Sequence, residues 1–123
     1  MYSHAHTDDI ERQSIDGIDP VFRSIGDELG SEEMRPSVWE YPEGASNMRH
    51  RQEQQEEFYF VLSGRFELEV GDDTLELTEG DTAVVSPDEW RKLIAREDSR
   101  LLVVGAPTAN EDSLMDDGVL YEE

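Results

Sequence analysis

From Glu57 onward the apolar positions of this chain fall on the period of extended backbone. Arg65-Phe66-Glu67-Leu68-Glu69-Val70 alternates at every step, sending Phe66, Leu68 and Val70 to a core and Arg65, Glu67 and Glu69 to solvent. Thr74–Leu77 repeats the alternation, with Leu75 and Leu77 inward. Phe58-Tyr59-Phe60-Val61-Leu62 is apolar on both faces, the pattern of a strand covered on two sides. Thr82–Val85, Trp90–Ala95 and Leu101–Val104 read as further strands, and Ser63-Gly64, Gly71-Asp72-Asp73 and Glu79-Gly80-Asp81 as turns between strands. Upstream, Pro36 precedes a strand over Ser37–Tyr41, which Pro42 and Gly44 stop. Before it, Ile10, Ile15, Ile18, Val21, Phe22, Ile25 and Leu29 are scattered among charges, and only Val21–Ile25 reads as a short strand. There is no long helical pattern and no internal repeat. Six or seven short strands, spaced roughly 8–12 residues apart with turn residues between them, predict an all-β sandwich or barrel. The organisation expected is an arm over residues 1–35, a barrel over 36–106 and an acidic, turn-rich surface tail over 107–123.

At 123 residues the chain fits one domain with a core of its own. Its net charge is -21, from 31 acidic and 10 basic residues. Such a chain repels the phosphates of nucleic acid and anionic membrane surfaces, so neither is an expected partner. Lys92 is the only lysine, and this acid-rich, lysine-poor composition resembles the cytosolic proteins of salt-accumulating halophilic archaea. An acidic partner-binding protein and a disordered acidic chain are the alternatives, and the ordered strand patterns speak against disorder. Self-repulsion at this charge destabilises a compact state unless salt screens it. No run approaches the ~18 apolar residues of a membrane span. Met1 to Ile10 holds no apolar leader core, and cysteine is absent. A cytoplasmic location is the expectation.

Candidate chemistry sits in one spaced constellation: Gly44, His50, Gln52, Glu57 and Gly64, separated by five, one, four and six residues. A second stretch follows as Gly80-Asp81-Thr82-Ala83-Val84-Val85-Ser86-Pro87-Asp88-Glu89-Trp90-Arg91. Together these resemble the two sequence motifs of the cupin superfamily, over about residues 36–106. The resemblance implies an antiparallel jelly-roll barrel (a double-stranded β-helix) of the small, single-domain, RmlC-like kind. In that family the first motif supplies three metal ligands and the second supplies one. By resemblance, His50, Gln52, Glu57 and Arg91 would line the barrel mouth. The family pattern has histidine where this chain has Gln52 and Arg91.

Alternation agrees with part of that placement. His50 and Gln52 are two apart and share a face of a strand, as do Glu57, Tyr59 and Val61. Glu57 in line with apolar residues implies a cavity holding a partner for its charge. A neutral imidazole at His50 suits a transition metal, whereas Gln52 offers only a carbonyl oxygen. Arg91 has no lone pair and keeps its proton, so it repels a cation and attracts Glu57. The expectation is an Arg91–Glu57 ion pair standing in place of the metal, with Arg91, Leu93 and Ala95 inward and Lys92 outward. The alternatives are Arg91 turned to the surface, or a weakly bound divalent transition metal on His50, Glu57, Gln52 and waters. Trp39 and Tyr59 are further candidates for the ligand pocket, with Tyr41 and Met48 beside them, and Trp90 closes the barrel end. His4 and His6 form a possible metal pair on the arm, set against a solvated chain end. Ser63 has no His–Asp partner in view, so no nucleophilic triad is supported and no catalytic residue is assigned.

Three functions follow. The first is a small-molecule-binding cupin that takes a polar or anionic metabolite at His50 and Arg91. The second is a metal-dependent enzyme, such as a dioxygenase, isomerase or decarboxylase of a small organic acid or sugar, with Tyr59 or Gln52 orienting the substrate. The third is a structural or regulatory dimer with a filled barrel. The resemblance to small single-domain cupins implies a homodimer, and the doubly apolar Phe58–Leu62 with the apolar residues of the arm fits one in which strands or arms are exchanged. A monomer whose own arm covers that face explains the same pattern.

Overall fold

The structure, a computed structural model, describes residues 1–109 and 113–115. Eleven strands form two antiparallel sheets among these residues. The strands are β1 (Arg12–Ser14), β2 (Val21–Ser24), β3 (Arg35–Tyr41), β4 (His50–Gln52), β5 (Glu56–Ser63), β6 (Arg65–Val70), β7 (Asp73–Thr78), β8 (Thr82–Val85), β9 (Arg91–Ala95), β10 (Ser99–Ala106) and β11 (Ser113–Met115). The first sheet runs in the order β1-β2-β3-β10-β5-β8 and the second in the order β11-β4-β9-β6-β7. This is the jelly-roll barrel that the strand pattern and the two motifs pointed to.

The core lies between the sheets. Trp39, Tyr41, Tyr59, Val61, Leu101 and Val103 enter it from the first sheet, and Phe66, Leu68, Leu77, Leu93 and Ala95 from the second. Tyr41 meets Phe66 edge-on across the gap, with ring centroids 5.1 Å apart. The alternation read in Arg65–Val70 and Trp90–Ala95 holds: Phe66, Leu68, Leu93 and Ala95 are fully buried, and Lys92 and Ile94 face outward.

Several elements differ from the sequence expectation. Leu75 shares a face with its partner Leu68 but is 46% exposed rather than buried, because β7 is the outer strand of its sheet and has a neighbour on one side only. Pro36 lies inside β3 rather than before it. The pairing of β2 with β3 ends at Ser24 and Ser37, so the absent proline N–H removes no bond to β2. Ile25 leaves the strand: the Ser24 hydroxyl accepts from the Asp27 amide at 3.3 Å and starts a five-residue helix, α1 (Ile25–Leu29), which Gly30 ends at φ 72°.

The first residues pack more than an arm or loop would. β1 and β2 extend the first sheet, and residues 7–10 lie on its outer face. Phe22 faces the core, so its neighbour Arg23 faces outward, where its guanidinium donates to the carbonyls of Thr7, Asp8 and Ile10 at 3.2, 3.0 and 2.9 Å. Within the stretch expected as a tail, β11 pairs antiparallel with β4 and covers what would be an open sheet edge. Other parts of that tail, residues 110–112 and 116–123, lie outside the described residues.

Candidate functional site

Three strands bring the motif residues together. β4 turns His50 and Gln52 inward and Arg51 outward, as two-residue spacing requires. β9 lies beside β4 with His50 and Arg91 in register, so Arg91 enters from the same sheet. Opposite them, β5 sends in Glu57 and Tyr59. His50, Gln52 and Arg91 are 0% exposed, Glu57 1% and Tyr59 2%.

Glu57 is the hub. Its Oε1 accepts from Arg91 Nη1 at 2.9 Å and from the Tyr59 hydroxyl at 2.8 Å, and His50 Nε2 stands 3.7 Å away. Arg91 Nη2 donates to the Ser86 carbonyl at 2.7 Å, which ties the guanidinium to the turn before β9. His50 Nδ1 lies 3.0 Å from the Met48 carbonyl. A carbonyl only accepts, so Nδ1 carries the proton there and the other ring nitrogen faces Glu57. The expected ion pair therefore forms, between sheets and away from water. One donor is left over: Arg91 Nε is buried without a hydrogen-bond partner among the described residues. A buried donor with no acceptor costs about 1–3 kcal/mol, which marks this atom as a position that can take one.

A divalent cation does not fit this set. Among the described residues no three or more His, Cys, Asp or Glu side chains are grouped to hold a metal ion. The carboxylate oxygen that would ligate one already holds a guanidinium, whose charge repels a cation in the same space. His6 does not supply the missing ligand either. It caps the turn Thr7–Asp9, accepting from the Asp8 amide at 3.1 Å, on the outer face of the sheet whose inner face carries Glu57.

Trp39 belongs to the core rather than to this cluster. Its ring stacks on Phe22, with centroids 4.6 Å apart, and its Nε1 donates to Ser37 Oγ at 3.0 Å. Trp90 is half-buried on the outside, with the Arg49 and Arg51 guanidiniums 4.9 and 5.8 Å from its ring centre. Arg51 also bonds Asp88 at 2.9 Å, across the turn that leads into β9.

Three contributors were not foreseen. The Ser86 carbonyl has no side-chain signature at all. Asn47, 5% exposed, accepts from the Leu93 amide at 2.8 Å and pins the loop before β4 onto β9. Gln55, 6% exposed, packs against Gly105, where an added Cβ would come 2.9 Å from its Oε1. A polar residue next to the motif and facing a glycine is the one signal that could have found Gln55.

Comparison with known proteins gives a family and a set of folds. The profile of a family described as "Cupin domain" matches residues 37–105. No curated protein matches the sequence significantly. Among solved structures, the polyketide cyclase RemF from Streptomyces resistomycificus superposes with a TM-score of 0.82 at 21% identity, over 99% of this chain and 89% of that one. KdgF from Halomonas sp. gives 0.78 at 19% identity, over 88% and 97%. A sugar phosphate isomerase of the cupin superfamily from Silicibacter pomeroyi gives 0.76 at 22% identity, over 94% and 89%. At these identities the likeness is one of fold.

Proposed function

Because the chain belongs to the cupin domain family, we propose that it is a small-molecule-binding cupin in which the Arg91–Glu57 ion pair stands in place of a metal centre. The observation that carries this reading is the buried Nε–H of Arg91, a fixed donor with no acceptor among the described residues. A carboxylate or phosphate oxygen satisfies it, and the guanidinium charge favours an anion. His50, Gln52 and Tyr59 border the same space and set the ligand's orientation. The ligand is small, because everything that would touch it is nine-tenths buried or more.

A filled, purely structural barrel is the second reading. What favours it is the same burial: Tyr59 and Arg91 both donate to Glu57, and Arg91 also donates to the Ser86 carbonyl, so most of the polar groups here already have partners. A metal-dependent oxygenase, isomerase or decarboxylase is less well supported, since its cation would sit against Arg91. The excess of 31 acidic over 10 basic residues supports a further part of the proposal, a cytoplasmic protein that works in concentrated salt.

Two measurements test this. Elemental analysis of protein purified in high salt without chelator or affinity tag should find no stoichiometric transition metal, and none taken up when each ion is added. A thermal-shift screen of small organic acids and phosphate esters at millimolar concentration should find at least one that raises Tm. One equivalent of iron, manganese, nickel or zinc per chain overturns the proposal in favour of the enzyme. A flat screen with no metal favours the filled barrel.

A further inference from the structure

The side chains at the site are nine-tenths buried or more, so a ligand reaches Arg91 only when part of the wall moves. Two connections lie next to the site. Residues 53–55 join β4 to β5, and residues 86–90 join β8 to β9. The first is plugged from inside by Gln55, which is 6% exposed and packs against Gly105. The second has no such plug. Ser86, Asp88 and Glu89 are exposed, and Pro87 and Trp90 are half-buried.

This second turn crosses from one sheet to the other. It leaves the first sheet at β8, the last strand of that sheet, where Val85 is in register with Glu57. It enters the second sheet at Arg91. One residue past Val85, the Ser86 carbonyl accepts from Arg91 Nη2 at 2.7 Å. The turn therefore lies beside the ion pair and holds one end of the guanidinium.

What keeps the turn in place is polar and at its rim. The Asp88 amide donates to the Gln52 carbonyl at 2.8 Å, and the Asp88 carboxylate accepts from Arg51 Nη1 at 2.9 Å. Arg51 is the outward residue between His50 and Gln52, so the strand that presents site residues inward fastens the turn from outside. The Arg51 and Asp88 side chains are 28% and 77% exposed, and water competes for their ion pair. Within the turn the Glu89 amide reaches the Ser86 carbonyl only at 3.4 Å. Asp88 is also the one non-glycine residue at positive φ, 72°, among the described residues. Asp tolerates that conformation better than most side chains, yet the closed turn still holds some backbone strain. Exposed hydrogen bonds and few buried apolar side chains mark a segment that opens locally before the fold does.

We infer that residues 86–89 form a door to the site, latched by the Arg51–Asp88 pair. The latch needs no ligand. Its consequence for binding rests on the function proposed above: an anion bound for Arg91 Nε passes this door, so entry and release wait on its opening.

The test follows His50. The chain has three histidines, of which His4 and His6 are exposed and His50 is 0% exposed. Diethyl pyrocarbonate acylates the imidazoles it can reach, and peptide mass spectrometry reads each one separately. On folded full-length protein in high salt, His50 should react far more slowly than His4 and His6, yet faster than global unfolding under the same conditions allows. Arg51→Gln and Asp88→Asn should each speed the His50 reaction by roughly two- to five-fold, and the double variant should match the faster of the two. Rates at His4 and His6 should not change. Arg65→Gln breaks an exposed pair with Glu76 at the end of β6 away from Arg91, and should leave the His50 rate as it is in wild type. A His50 that reacts only as fast as the whole chain unfolds overturns the inference. So does a His50 rate that neither latch variant changes, or one that Arg65→Gln raises as much as they do. The assay contains no ligand, so its outcome is separate from that of the ligand screen.

Discussion

At the scale of single residues the site turns on one substitution of chemistry. A guanidinium occupies the position that the family resemblance gives to a ligating histidine, and it binds the carboxylate that would otherwise share a cation. The pair is fully buried, so its two partners are unequal to their removal. Deleting one charge leaves the other unpaired away from water, at a cost of about 3–5 kcal/mol, whereas replacing both with apolar groups of similar size is often neutral. Glu57→Ala and Arg91→Met should each lower unfolding free energy by that amount. The double variant should cost less than the two singles summed. Denaturant melts of all three measure this, and additive single effects would mean that the pair is not coupled. Arg91→His removes the repulsive charge and adds a lone pair beside His50 and Glu57. That variant should take up about one equivalent of nickel or zinc where wild type takes none, as read by elemental analysis after dialysis. If it binds no more metal than wild type, the space beside Glu57 does not suit a cation even without the guanidinium.

This pair was legible because the resemblance to the two family motifs implied which positions face the barrel mouth. Strand alternation agreed in part, grouping His50 with Gln52, Glu57 with Tyr59, and Arg91 with Leu93 and Ala95, and opposite buried charges then attract. What spacing does not carry is backbone and packing. The Ser86 carbonyl that anchors Arg91 is a group every residue has. Trp39 shows the converse error. An inward aromatic beside a motif reads as pocket wall, but stacking on Phe22 and a bond to Ser37 place it in the core.

At the scale of elements, the turn between β5 and β6 is the tightest joint holding the site strand. Gly64 has φ 87°, and an added Cβ there would come 2.6 Å from Ser99 Cβ and 2.7 Å from the Asp98 carbonyl. Ser99 is itself fixed, accepting from the Arg65 amide at 2.9 Å and donating to the Glu97 carbonyl at 2.7 Å. Gly80, in the turn between β7 and β8, has φ 90° with nothing within 4 Å of the added carbon. Gly80→Ala therefore bears backbone strain alone, about 1–2 kcal/mol, and Gly64→Ala bears the same strain plus a collision with backbone. The difference in Tm between the two variants isolates the close approach, and equal losses would show that β10 yields freely.

The long alternating strands were legible because each carries its own signal over five or more residues. Of the short ones, β2 and β8 were also read, and the three-residue strands were not. β1, β4 and β11 have three residues each and exist because a neighbouring edge accepts them. Three residues carry too little pattern to distinguish a strand from a loop, so tertiary pairing decides. Leu75 failed for the opposite reason. Its alternation is correct, but alternation names a face and says nothing of whether an outer strand has cover.

At the scale of the whole molecule, stability is set by charge that the fold leaves unpaired. The basic side chains are largely committed: Arg12 and Arg23 to Glu40, Arg51 to Asp88, Arg65 to Glu76, Arg91 to Glu57 and Arg96 to Glu67. With 31 acidic residues, most carboxylates have no cation to meet and repel one another across the surface. Unfolding relieves that repulsion by moving the charges apart, so the folded state gains most from screening. The Debye length falls from about 10 Å at 0.1 M salt to about 3 Å at 1 M, shorter than the spacing of most exposed charges. Tm should therefore rise steeply from low salt and flatten as molar concentration is approached. An uncharged osmolyte at equal osmolarity should raise it far less over the low range, because it excludes itself from surface without screening. The buried Arg91–Glu57 pair is shielded from bulk ions, so the destabilisation by Glu57→Ala should stay nearly constant along the same series. A Tm that ignores salt would show that the surface charges are farther apart, or better paired, than a net charge of -21 implies. A Glu57→Ala loss that vanishes in high salt would show instead that ions reach the barrel interior.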